Sequence, residues 1–185
     1  VINGWLSTSS SFVAEIMAAQ GYDSLTIDVQ HGFVGFDSVT TMLQAMRASG
    51  VTPMVRVPWL DPADIMKSLD AGAMGIICPM VNTRADAERL VSYMRYPPDG
   101  QRSFGPTRVT FSQGADYGLH ANENIVALAM IETAEAMRNL DDIVHTPGLD
   151  GVYIGPADLT LGLTGRKYPT GFDREEPEMV EAIKK

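Results

Sequence analysis

Apolar residues recur along this chain with two spacings that alternate from beginning to end. Short runs, NGWL at 3–6, SLTID at 24–28, PMVRV at 53–57, MGIIC at 74–78, NIVALAMIE at 124–132 and DGVYIG at 150–155, predict six strands. Between them the apolar residues fall three and four apart, the helical period: Phe12, Val13, Ile16 and Met17, then Phe36, Val39, Leu43 and Met46, then Ile65, Met66 and Leu69, then Leu90, Val91 and Met94. Ser10, Asp61-Pro62 and Thr83 suit helix starts, whereas Gly21, Gly50 and Gly72 suit helix or segment ends. TAEAMRNL predicts a further short helix, and EEPEMVEAIKK another at the C-terminus.

Strands that are apolar on both faces and separated by helices belong in a parallel sheet covered by those helices. A doubly wound open sheet signals itself by a Gly-rich phosphate turn after its first strand, and neither GxGxxG nor GxxxxGK[ST] occurs. The expected fold is therefore an α/β, (β/α)8 TIM barrel forming one domain over 1–185. Six strands do not close such a barrel, so a fragment that lacks a short N-terminus and the C-terminal strands is expected. One connection stands out. Residues 95–123 exceed the usual connection of about 4–6 residues, and their Arg102, Phe104, Arg108, Tyr117 and His120 predict a loop that covers an active site.

With 185 residues, 45% hydrophobic and 20% charged, the chain has the composition of one globular domain. Its net charge of −9 gives no electrostatic basis for gripping nucleic acid or anionic lipid. The longest nearly apolar run, AGAMGIICPMV, falls short of the roughly 20 residues a membrane helix needs. The single cysteine, Cys78, lies in that run and cannot form an internal disulfide, which points to a reducing cytoplasm.

In a barrel of this kind the chemistry sits where strands end, so polar residues that terminate apolar runs are the candidates. They are Asp28 and His31 in IDVQHG, Arg56 in MVRV, Glu132 in LAMIE and Asp158 after VYIGPA. Each has an alternative. Asp28 can cap a turn with Gly32, His31 can be a satisfied core or surface histidine, Arg56 can belong to a structural ion pair, Glu132 can cap the TAEAM helix, and Asp158 can cap a following turn. As a site, two carboxylates suit a hard divalent ion, Mg²⁺ or Mn²⁺ with Co²⁺ a further candidate; no Cys/His cluster suits zinc. Asp70 falls in the last turn of its helix, where the dipole disfavours an anion and calls for a compensating group.

WLSTSS, IDVQHG, MVRVPW, DAGAMGIICPMV, YPPDGQRSFGPTR, MIET and GVYIGPADLTLGL, in this order, make the chain resemble the HpcH/HpaI aldolases, metal-dependent class II pyruvate aldolases. The resemblance implies reversible cleavage of a 4-hydroxy-2-oxo acid to pyruvate and an aldehyde. It makes His31 the acid/base supported by Asp28, Arg56 the enolate stabiliser, and Glu132 and Asp158 the metal ligands. Gly155, Pro156 and Ala157 would hold the substrate carboxylate, Trp5 would line the pocket, and Asp70 would reach a neighbouring subunit's histidine. A homo-oligomer is implied, a hexamer built as a trimer of dimers. Met130 stands where some relatives carry glutamine and Gln30 where they carry glutamate, which bears on the substrate rather than the reaction. Sugar-acid or acyl-CoA lyases, a phosphoenolpyruvate enzyme and a silent oxo-acid binder are the rival readings. A Schiff-base route has no candidate, since Lys67, Lys167, Lys184 and Lys185 lie on predicted helices or loops.

Overall fold

The computed structural model describes residues 1–165 and 177–185. Six strands, β1 (Asn3–Leu6), β2 (Ser24–Asp28), β3 (Thr52–Arg56), β4 (Gly75–Cys78), β5 (Val126–Ile131) and β6 (Gly151–Ile154), form one sheet. All five pairings are parallel and the strand order is the chain order. A doubly wound sheet reverses direction partway; this one does not, as in the wall of a barrel. The wall curls. Trp5 on β1 and Tyr153 on β6 bring their ring centroids to 5.6 Å although their strands stand at opposite edges of the sheet.

Ten helices accompany the strands among the described residues: α1 (Ser11–Ala18), α2 (Phe36–Met46), α3 (Pro62–Asp70), α4 (Arg84–Met94), α5 (Val109–Gln113), α6 (Tyr117–Asn124), α7 (Ala134–Arg138), α8 (Leu140–Val144), α9 (Pro156–Thr164) and α10 (Pro177–Lys184). The predicted caps are present. Ser10 accepts from the Val13 N–H, Asp61 accepts from Ala63 and Asp64 ahead of Pro62, and Thr83 forms a reciprocal capping box with Asp86. The main core lies between strands and helices, where Leu25, Ile27, Met42, Met46, Ile65, Leu69, Leu90 and Met94 are fully buried. A second, smaller cluster of Met54, Ile77 and Met130, flanked by Trp5, Leu128 and Tyr153, fills the concave face of the wall.

Two expectations are corrected. The apolar stripe of α1 faces the core only in part: Phe12, Val13 and Ile16 are exposed, Met17 is half-buried against the core, and small Ala14 and Ala18 make the buried contact. The segment 95–123 is neither a loop throughout nor a cover, since it contains α5 and most of α6. It joins the end of α4 to the start of β5, and a helix-to-strand connection in a parallel sheet lies opposite the strand C-termini. Accordingly, Ser112 and Gln113 line a cavity with Thr52 and Val126, which begin β3 and β5.

Lys67 lies on α3 and Lys184 on α10, whereas Lys167 and the first two residues of EEPEMVEAIKK fall outside the described residues. Among the described residues no helix is long and apolar enough to cross a membrane.

Candidate active site

Side chains alternate across a strand, so register decides which of them share a face. Trp5, Arg56, Met130 and Tyr153 all touch one another's neighbourhood on the concave side, and Asp28 is the register partner of Arg56, as Met130 is of Tyr153. Their strands end together. A cavity of about 610 Å³ opens there, lined by Trp5, Ser7, Asp28, His31, Arg56, Met130, Tyr153, Ile154, Gly155, Pro156, Ala157 and Asp158. Its volume falls within the range of about 300–1,000 Å³ typical of small-molecule sites.

Asp28 anchors this wall. Its Oδ1 accepts from Arg56 Nε at 2.9 Å and its Oδ2 from Arg56 Nη2 at 2.7 Å, a two-pronged pair. Oδ1 also accepts the backbone N–H groups of Gln30 and His31, each at 3.2 Å. The turn-capping and ion-pairing readings of Asp28 and Arg56 are thus both true. Burial pushes the Asp28 carboxyl up, but the Arg56 hydrogen bonds, the two backbone donors and the Arg56 charge hold it below its ordinary range. Support for His31 therefore runs through its backbone N–H rather than its ring. Gly32 closes the turn because a Cβ there would lie 2.2 Å from the Asp28 carbonyl oxygen.

Arg56 is fixed on a third side by Trp5, whose ring centroid lies 4.7 Å from the guanidinium carbon. Its Nη1 points to Met130 Sδ at 3.9 Å, a weak acceptor. Among the described residues one edge of the guanidinium consequently has no strong partner, whereas the other is fully committed to Asp28.

Glu132 follows β5 and is almost completely buried, 1% exposed. It does not cap α7; Thr133 does, accepting from the Ala136 N–H at 3.0 Å. The Met80 N–H donates to Glu132 Oε1 at 2.7 Å, while Oε2 is buried without a hydrogen-bond partner. Burial raises the Glu132 carboxyl above its ordinary range; the Met80 N–H opposes this, and the charge of Asp158 adds to it. Asp158 sits in the first turn of α9, whose N-cap Gly155 makes no side-chain cap bond. An orphaned, buried carboxylate oxygen facing the field of a second carboxylate suits a hard divalent cation. No third His, Cys, Asp or Glu groups with them among the described residues, which leaves the other positions of such an ion to oxygens of water or ligand.

Asp70 is not brought into this cavity. It pairs with Arg102, whose Nη2 donates to Asp70 Oδ1 at 2.6 Å. The Arg102 side chain is 0% exposed; it donates to Tyr117 Oη at 3.0 Å and stacks on Tyr96, 4.4 Å from the ring centroid. This is the compensating group that an acid at a helix C-terminus requires. Burial still raises the Asp70 carboxyl, with Arg102 opposing.

Ser7 and Tyr153 line the cavity without having been singled out from the sequence. Strand alternation carries a signal for Tyr153, which precedes Gly155 by two residues as Met130 precedes Glu132; Ser7 has none, as it lies just beyond β1.

A family model described as HpcH/HpaI aldolase/citrate lyase matches residues 2–185. A hydroxypyruvate/pyruvate aldolase from Rhizorhabdus wittichii is 49% identical over 180 residues, which cover 97% of this chain and 70% of that protein. A 4-hydroxy-2-oxo-heptane-1,7-dioate aldolase from Shigella flexneri is 39% identical over 182 residues, 97% of this chain and 66% of its own length. Among solved structures, an HpcH/HpaI aldolase/citrate lyase family protein from Burkholderia cenocepacia superposes with a TM-score of 0.89 at 32% identity, covering 100% of this chain and 73% of the other.

Proposed function

The chain belongs to the HpcH/HpaI aldolase/citrate lyase family, and from that membership we propose a divalent-metal-dependent aldolase that reversibly cleaves a 4-hydroxy-2-oxo acid to pyruvate and an aldehyde. The observation that carries this reading is one cavity in which His31, Arg56 and Asp158 meet beside the unpartnered Oε2 of Glu132. Glu132 and Asp158 would hold Mg²⁺ or Mn²⁺, with Co²⁺ a possible substitute; the ion would supply Lewis acidity toward the oxygens of the 2-oxo acid.

The remaining chemistry belongs to the chain. His31, exposed at the cavity rim, takes the proton of the substrate's 4-hydroxyl group. The bond between C3 and C4 breaks, the aldehyde leaves, and the electron pair passes into the enolate of pyruvate. Return of the proton to C3 completes the cleavage. Arg56 stabilises the developing negative charge, and its clamp to Asp28 and Trp5 means that no reorganisation is needed as the charge appears. The backbone of Gly155, Pro156 and Ala157 starts α9, and a helix N-terminus favours a carboxylate. Trp5 and Met130 add apolar lining to the same cavity.

Asp70, outside the cavity of its own chain, is assigned to a subunit boundary in a homo-oligomer, where it raises the basicity of a neighbour's His31. Its support is that Arg102 occupies Oδ1 and leaves the carboxylate 19% exposed. A cytoplasmic location fits the one buried thiol, Cys78. The test is pyruvate release from 4-hydroxy-2-oxo acids by the purified protein with Mg²⁺ or Mn²⁺, coupled to lactate dehydrogenase and stopped by EDTA. Phosphate release from phosphoenolpyruvate without aldol cleavage, or pyruvate binding without turnover, would replace this reading.

A further inference from the structure

Met80, two residues beyond β4, is the one non-glycine residue with positive φ among the described residues, at +56°. A Cβ makes that region unfavourable, and such conformations persist where the surroundings impose them, often beside ligand sites. The surroundings here are explicit. Asn82 and Thr83 donate their N–H groups to Asp86 Oδ2 at 3.1 and 2.9 Å, and Asn139 Nδ2 donates to the Asn82 carbonyl at 2.8 Å. Thr133 Oγ1 donates to Asn82 Oδ1. The turn after β4 is thereby tied both to α4 and to the segment after β5, and in that tied position the Met80 N–H meets Glu132 Oε1 at 2.7 Å.

The consequence concerns the two oxygens of Glu132. Oε1 is taken by the main chain, and Oε2 is buried with no partner. We infer that the strained Met80 backbone is a positioning element that makes Glu132 a one-oxygen ligand, binding a divalent cation through Oε2 alone. This rests on the metal-dependent reading above. A carboxylate that chelated through both oxygens would occupy an additional coordination position; holding one oxygen back leaves that position to a substrate oxygen or a water. A main-chain donor to a coordinating carboxylate is also the kind of outer contact whose loss typically costs about 10–100-fold in metal affinity.

The experiment replaces Met80 by its α-hydroxy acid analogue, which turns the N–H into an ester oxygen and keeps the side chain. Mn²⁺ binding to the metal-free protein, followed by electron paramagnetic resonance, should weaken at least about tenfold, while Met80→Gly, which retains the donor and accepts positive φ, stays close to the parent. Infrared difference spectra with and without Mn²⁺ should show the wide separation of carboxylate stretches typical of one-oxygen binding in the parent, narrowing in the ester. Parent-like affinity in the ester overturns the inference, as does a loss in Met80→Gly equal to that in the ester. A narrow separation in the parent overturns it without any variant. If Mn²⁺ binding survives Glu132→Gln, the metal reading itself fails; loss there with full retention in the ester sinks the Met80 assignment alone.

Discussion

Two arginine–aspartate pairs of nearly equal length, 2.7 Å for Asp28–Arg56 and 2.6 Å for Asp70–Arg102, stand in different parts of the molecule. The Arg102 side chain is fully buried and that of Arg56 partly exposed, and each guanidinium lies over an aromatic ring. The difference lies in what remains uncommitted. Arg102 is enclosed by Tyr96, Tyr117 and Asp70 and has no exposed side-chain surface. Arg56 gives one edge to Asp28 and turns the other toward a cavity, where among the described residues its hydrogen-bonding contact is a methionine sulfur. The same pair chemistry therefore stabilises a fold in one place and presents a fixed charge to a ligand in the other. Position in the chain separates the two: Arg56 ends a strand, where all six strands point, and Arg102 lies in the connection that leads back to a strand's beginning.

The largest effect that would test this contrast is on stability. Arg102→Ala strands a half-buried carboxylate and a buried tyrosine, and should cost about 3–5 kcal/mol in urea unfolding; a loss below about 1 kcal/mol would break the comparison. Next in size, Arg56→Lys keeps the charge but loses the fork, and kcat for pyruvate release should fall by about 10²–10³ with a smaller change in stability. Equal losses in both properties would mean that Arg56 is as structural as Arg102.

Gly155→Ala should follow. Its Cβ would lie 2.6 Å from Met130 Cε and 2.8 Å from Glu132 Oε2, costing about 1–3 kcal/mol and weakening Mn²⁺ binding in titration. The smallest effects lie in acid and have opposite signs. Asp28, held below its ordinary range, contributes stability that is complete above about pH 4 and is lost as pH falls through its folded value. Asp70, held above its range, contributes most when protonated, and that contribution falls as pH rises through its folded value. Urea midpoints across a pH series should therefore decline less steeply into acid for Asp28→Asn than for the parent, and more steeply for Asp70→Asn.

The pairs also differ in how far the sequence reveals them. Asp28, Arg56 and Glu132 interrupt or end apolar runs, and parallel strands that end on one side bring such residues together. The Asp70–Arg102 pair needs a tertiary contact across 32 positions, and only the mismatch between an acid and the C-terminus of α3 hints at it. α5 and α6 escape detection because they are short, with Val109, Tyr117 and Ala121 as their buried residues. The stripe on α1 misleads for a different reason: periodicity gives a face but not its direction, and alanines allow the close approach that Phe12 and Ile16 would obstruct. Met80 gives no sequence signal at all: nothing in a methionine announces left-handed backbone, and the bonds that tie its turn run from Asn82 to Asp86 and Thr133.

The place of Trp5, beneath the Arg56 guanidinium and edge-on to Tyr153, has an optical consequence. The chain has 2 tryptophans, and the other, Trp59, is 57% exposed. Replacing Trp59 by phenylalanine would leave a single indole emitter in the cavity wall, 4.7 Å from the Arg56 guanidinium and 5.6 Å from a tyrosine ring able to pass excitation to it. Ligand entry beside Arg56 would alter the field across that indole and shift its emission, so occupancy can be followed in real time without a label.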